Sequence, residues 1–153
     1  MFLESLKPYA KFVSHLAEET AEMAEQMAAQ AKPGDVFALT GDLGMGKTVF
    51  VQGFARGLGY TGRVTSPTFT LMNIYNGGRL VMHHFDLYRL EDAAADLEGI
   101  GYDDYIYAEG VSLIEWAERA EELLPEHTVF VSFARGYEDN ERIIRVYPKE
   151  TAQ

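Results

Sequence analysis

The apolar run VFALTG, residues 36–41, leads without interruption into the glycine-rich stretch GDLGMGKT, residues 41–48. No other join in the chain constrains the fold as strongly. A buried strand that empties into a glycine turn and restarts as a helix, here GKTVFVQGFARGLG, is the opening of a βαβ unit. A sheet with parallel strands and packed helices is therefore expected. The stretch fits G-x-x-x-x-G-K-[ST] at Gly41, Gly46, Lys47 and Thr48, with a further glycine at Gly44. Side chains at the glycines would obstruct a backbone that must aim successive N–H groups, and the start of a helix, at phosphate oxygens. In such a P-loop, Lys47 reaches the β- and γ-phosphates and the Thr48 hydroxyl ligates the magnesium that bridges them. Asp42, Leu43, Met45 and Val49 fill the remaining nucleotide-binding positions of the loop and the helix start.

At 153 residues, 47% of them hydrophobic, the chain can bury one sizeable core, so a single domain over 1–153 is expected. Residues 14–31 place Leu16, Met23 and Met27, with Ala17, Ala24 and Ala28, on one helical stripe, and Ser14 is the expected N-cap. KPGD then breaks the helix. RVTSPTFTLMNIY and GRLVMHHFDLYRL read as two strands joined by NGG. Residues 91–99 favour a short helix, VSLIEW is a compact strand, and AERAEELLP is a helix stopped by proline. HTVFVSFARG and ERIIRVYP make a closing strand pair. The expected fold class is α/β, a three-layer P-loop NTPase fold with a mixed parallel and antiparallel central sheet.

A P-loop needs a carboxylate near its metal, at the end of a neighbouring strand. Glu115 closes VSLIE and Asp86 sits in HHFDLYR, and both are candidates for metal and catalysis together with Lys47. Trp116 stands beside Glu115 and would lie near the metal. His83 and His84 are adjacent in a strand, so they face opposite ways and cannot form a metal pair. Arg89 and Arg135 are candidate phosphate contacts, and surface ion pairing is the plainer role for each. TSPTFT reads equally as an ordinary strand entry and as a loop that responds to the γ-phosphate.

Thirteen basic against 24 acidic residues give a formal charge of −11, which argues against direct nucleic-acid binding, stable binding of tRNA included; a solvated acidic surface that aids solubility is the plainer reading, and a basic protein partner would also suit it. The absence of cysteine excludes disulfides and thiolate metal sites. No signal-like amino terminus and no apolar run of membrane-spanning length is present, so a cytoplasmic protein is expected. A small-molecule kinase would need an acceptor pocket and an arginine-bearing lid, and the arginines here are scattered. A GTPase would need an NKxD-like stretch, which is absent, so ATP is the favoured nucleotide. A module that binds ATP without turnover is the remaining rival.

GDLGMGKT, VTSPTFTLMNIY, HFDLYRLED and VSLIEWAERAEELLP occur in the order and spacing of the TsaE (YjeE) family, which the chain resembles over roughly residues 14–135. The resemblance implies a P-loop ATPase that binds and slowly hydrolyses ATP with magnesium, weak alone and dependent on partners. It further implies action with the TsaB and TsaD proteins in forming N6-threonylcarbamoyladenosine at A37 of tRNA. It assigns the metal-associated glutamate to Glu115, the acidic residue of HFDLYR to Asp86, the aromatic of IEW to Trp116, and a position near the nucleotide base to Thr20. The usual GAGKT reads GMGKT here, and IEWPE reads IEWAE, and neither change removes a ligand. Residues 1–11 have no counterpart and are expected to form a poorly ordered extension.

Overall fold

The structure is a computed structural model that describes residues 10–42, 44–67, 70–106 and 108–147. Its strands are β1 (Ala10–Ser14), β2 (Val36–Thr40), β3 (Met72–Tyr75), β4 (Met82–Asp86), β5 (Val111–Glu115), β6 (Val129–Arg135) and β7 (Arg142–Tyr147). They form one seven-stranded sheet in the order β1-β7-β6-β2-β5-β4-β3. β6, β2, β5 and β4 run parallel, β7 pairs antiparallel with both β6 and β1, and β3 pairs antiparallel with β4. The three strands β2, β4 and β5 are buried along their whole length, the pattern of central strands covered on both faces.

The sheet side chains alternate between two cores. Phe37, Leu39, Leu113 and Val131 face helices α1 (Ala17–Gln30) and α2 (Lys47–Gly57), packing on Ala24, Phe50 and Phe54. Val36, Ala38, Phe85 and Ile114 face the other way, toward α3 (Ala93–Gly99), α4 (Tyr102–Ile106) and a 3-10 helix at Ala117–Leu123. The architecture is thus α/β with a mixed sheet and helices on both faces. Among the described residues no helix is long and apolar enough to cross a membrane.

α1 and α2 meet backbone to backbone. A Cβ added to Gly53 would lie 2.6 Å from Ala21 Cα, and one on Gly57 would lie 2.6 Å from the Glu25 carbonyl oxygen. Gly53→Ala should therefore destabilise the protein by roughly 1–3 kcal/mol, because overpacking against rigid backbone outweighs the gain of up to about 1 kcal/mol in helix propensity. A thermal melt equal to or above wild type would show that α1 moves aside freely.

Several local expectations are corrected. Ser14 does not cap α1. It ends β1, opposite Arg142 on β7, and its hydroxyl donates to the Leu16 carbonyl at 2.8 Å. The pairing with β7 keeps the chain extended through residue 14, so the helix starts at Ala17 and Leu16 sits exposed at the N-cap. Ala10 and Lys11, counted in the expected extension, open β1, and residues 1–9 lie outside the described residues. The first hairpin strand begins only at Met72. Upstream, Thr65 is tied by side chains instead: its N–H donates to Tyr75 Oη at 3.1 Å and its carbonyl accepts from Tyr75 Oη at 3.0 Å. The AERAEELLP helix is a 3-10 segment kinked at Ala120, where φ is −140°. α4 was not anticipated.

Candidate functional site

β2 delivers Gly41 to the end of the sheet, where φ is +136° and an added Cβ would stand 2.6 Å from the Phe133 carbonyl oxygen of β6. Only glycine fits there. At the far end of the loop Gly46, with φ +103°, occupies the N-cap of α2 and brings no capping side chain. The first-turn N–H groups of α2 are therefore left for another acceptor. Gly44, Lys47 and Thr48 line a cleft of about 410 Å³ together with Ser66, Asp86 and Glu115.

Lys47 is 4% exposed. Its ammonium donates to the Gly41 carbonyl and lies 3.7 Å from the centroid of the Trp116 ring. Burial pushes its pKa below the ordinary lysine value, opposed by the charges of Glu118, Glu115, Asp86 and Asp42. A desolvated cation held by a carbonyl and an aromatic face is suited to an anion that would replace both contacts.

The carboxylates come from strand ends. In the parallel register Leu39, Glu115 and Asp86 form one row across β2, β5 and β4, so both acids stand at the carboxyl edge of the sheet, beside the loop. Asp86 Oδ1 accepts the Tyr88 N–H at 3.0 Å and Oδ2 accepts the Ser66 hydroxyl at 3.1 Å. Glu115 Oε2 bonds His84 Nε2 at 2.6 Å. Immediately after Glu115 the chain turns at Trp116, a non-glycine residue in the left-handed region at φ 57° and ψ 40°. Such a conformation costs on the order of 1 kcal/mol or more, and here it lays the indole between Tyr88 and Lys47. Thr48, Asp86 and Glu115 offer oxygen donors suited to a hard cation, beside N–H and ammonium groups suited to an anion.

A family model described as "Threonylcarbamoyl adenosine biosynthesis protein TsaE" matches residues 14–144. The chain belongs to the TsaE family. It is 49% identical over 126 residues to the tRNA threonylcarbamoyladenosine biosynthesis protein TsaE of Bacillus subtilis, covering 82% of this chain and 78% of that protein. The same-named protein of Treponema pallidum is 43% identical over 134 residues, covering 88% of this chain and 97% of the relative. Among solved structures, the crystal structure of Bacillus subtilis YdiB superposes with a TM-score of 0.79 at 40% identity, over 92% of this chain and 85% of that one. The family match and the cleft fall on the same residues, since the TsaE model spans the loop, both carboxylates and Trp116.

Of the residues singled out in the sequence, Gly44, Gly46, Lys47, Thr48, Val49, Asp86, Glu115 and Trp116 line this cleft. Met45 is buried beneath the loop, Asp42 is exposed on it, and Leu43 lies outside the described residues. Thr20 lines a second cleft of about 320 Å³ that shares Gly44, Gly46 and Val49 with the first and continues toward Asn140 and Arg142. Arg135 sits exposed at the end of β6 opposite Arg142, lining neither cleft. Arg89 lines the first. The TSPTFT segment reaches the site through Ser66, while Thr68 and Phe69 lie outside the described residues.

His84, the hydrogen-bond partner of Glu115, was missed as a site residue. His83 and His84 do face opposite ways, His83 against the Tyr105 ring and His84 toward Glu115. The same alternation rule sets His84 on the face of Asp86, two residues on, and that signal was available.

The indole also gives a direct test. Trp116 is the one tryptophan, so any ligand that draws Lys47 off its ring should change intrinsic fluorescence saturably. The expected result is a shift on adding magnesium-ATP. An unchanged spectrum at concentrations that bind by calorimetry would detach Trp116 from the site.

Proposed function

We propose that GDLGMGKT is a P-loop in a P-loop NTPase fold, and that this chain binds and slowly hydrolyses magnesium-ATP in support of tRNA N6-threonylcarbamoyladenosine formation at A37. The observation that carries this reading is the juxtaposition of Lys47 and the α2 N-terminus with two carboxylates at the ends of adjacent parallel strands. A cradle that a Cβ at Gly41 would break fits phosphate. The donor set fits magnesium. Among the described residues no group of three His, Cys, Asp or Glu side chains makes a metal cage. Magnesium is usually held by one or two carboxylates plus substrate phosphates and water, so Thr48, Asp86 and Glu115 suffice. The ion would supply charge neutralisation across the phosphates.

The roles of the chain's own groups follow. Backbone N–H groups of the loop and the Lys47 ammonium bind and orient the phosphates. Glu115 and Asp86 orient the attacking water, with Asp86 tied to the TSPTFT segment through Ser66. The second cleft, toward Thr20, Asn140 and Arg142, adjoins the loop through Gly44, Gly46 and Val49 and would take the nucleoside.

Among the described residues that line the cleft, Lys47 and Arg89 are the cations and Arg89 is exposed, so few groups of the chain itself neutralise developing charge there. A weak ATPase completed by a docked protein is the consequence, and the proposed partner is TsaD with TsaB. On this reading the chain works in the cytoplasm, and its charge of −11 disfavours holding tRNA directly. The test is a titration of purified TsaB–TsaD with this protein in ATP, in ADP and without nucleotide. Tightest binding in ATP, an altered hydrolysis rate and weak binding of tRNA alone are expected. Equal affinity in all three conditions would remove the nucleotide switch.

A further inference from the structure

We infer that His84 is a positioning residue for Glu115, fixing one carboxylate oxygen so that the other is presented to the cleft, a role that rests on the nucleotide reading above. His84 has no exposed surface, and its Nε2 meets Glu115 Oε2 at 2.6 Å. Its Nδ1 is buried and has no hydrogen-bond partner among the described residues. That asymmetry assigns the proton. An N–H on Nδ1 would be an unmatched buried donor, and a bare Nε2 would face an acceptor-only carboxylate. The tautomer with Nε2–H donating to Glu115 satisfies the one bond the site allows and leaves an acceptor lone pair, not a donor, unpaired.

Orientation, rather than stability, is what this pair supplies. A fully buried polar pair gains little over apolar side chains of the same volume. A glutamate at a strand end has three side-chain torsions to fix, and its neighbour across the sheet, Asp86, is already held through both oxygens by Tyr88 and Ser66. His84 does for Glu115 what those two groups do for Asp86. It can do so because β4 alternation brings residues 84 and 86 to the same face, and Glu115 stands opposite Asp86.

The test compares His84→Leu, which fills the space without a donor, with His84→Gln, which retains an N–H near the Nε2 position. Melting temperature without nucleotide, ADP affinity in EDTA, magnesium dependence of ATP affinity, and kcat and KM are measured for both. His84→Leu should lower kcat and raise the half-saturating magnesium concentration by roughly 10- to 100-fold, the usual range for removing a partner of a metal-site ligand. ADP affinity in EDTA should stay within about 3-fold of wild type, since a change of that size is under 1 kcal/mol. His84→Gln should recover most of the loss. Nitrogen-15 NMR of the nucleotide-free wild type should show the proton on Nε2. A proton on Nδ1, a wild-type-like His84→Leu, or a His84→Gln as impaired as His84→Leu overturns the inference. A wild-type protein that binds no magnesium nucleotide overturns the functional reading instead, and is recognised before any variant is compared.

Discussion

Lys47→Ala should abolish most nucleotide-dependent behaviour while leaving the fold standing. The ammonium has two contacts in the structure, the Gly41 carbonyl and the Trp116 ring. Both are exchangeable for phosphate oxygens. Charge-assisted bonds contribute about 1.5–3 kcal/mol each, so losing two of them lowers kcat/KM on the order of 10²- to 10⁴-fold. The stability of the empty protein moves the other way, or little. Burial sets the Lys47 pKa in the folded state below that of the unfolded chain, so the charged form is the one the fold disfavours. That cost is fully present below the lowered pKa and is relieved as pH rises through the window up to the ordinary lysine value. Alanine removes the cost along with the two contacts, and the melting temperature near neutral pH should stay within about 4 °C of wild type, the shift that about 1 kcal/mol produces at this size. For wild type, nucleotide affinity should fall as pH rises through the lowered Lys47 pKa, and Lys47→Ala should lack that component. Calorimetry with magnesium-ATP and magnesium-ADP checks both. Wild-type affinity in the variant would move the phosphate site away from the loop.

What the sequence made legible, and what it did not, divides along physical lines. β2, β4, β5 and α2 are built on local signals: continuous apolar runs for buried strands, and a glycine loop that must end in a helix. Glu115 and Asp86 were legible because an acid that ends an apolar strand of a parallel sheet falls at the edge where the loop lies. β1 was not legible, since Phe12 and Val13 become strand only by pairing with β7, more than a hundred residues away. The same distant pairing displaced the start of α1 from Ser14 to Ala17. The 3-10 segment Ala117–Leu123 is entered through a left-handed turn at Trp116, a conformation no propensity assigns to tryptophan. His84 is a middle case: alternation gave its face, but its partner required the β4–β5 register.

That register also decides how the acids should be tested. Glu115→Ala would leave the buried His84 Nε2–H without an acceptor, at about 1–3 kcal/mol, and confuse stability with catalysis. Glu115→Gln avoids this, because the amide oxygen can still accept from His84 while the other position exchanges a charged acceptor for a neutral donor. The expected outcome is a near-wild-type melt, a fall in kcat of roughly 10²- to 10⁴-fold, as for loss of a group that positions or activates the nucleophile, and a much smaller change in ATP affinity. Asp86→Asn should show the same split in milder form if Asp86 is the less direct of the two, since both Asp86 oxygens are already engaged by Tyr88 and Ser66. The measurement is single-turnover hydrolysis beside calorimetric affinity for both variants. Loss of affinity equal to loss of rate would make Glu115 a binding group alone, and normal turnover in both would mean that the row Leu39–Glu115–Asp86 does not face the reacting phosphate.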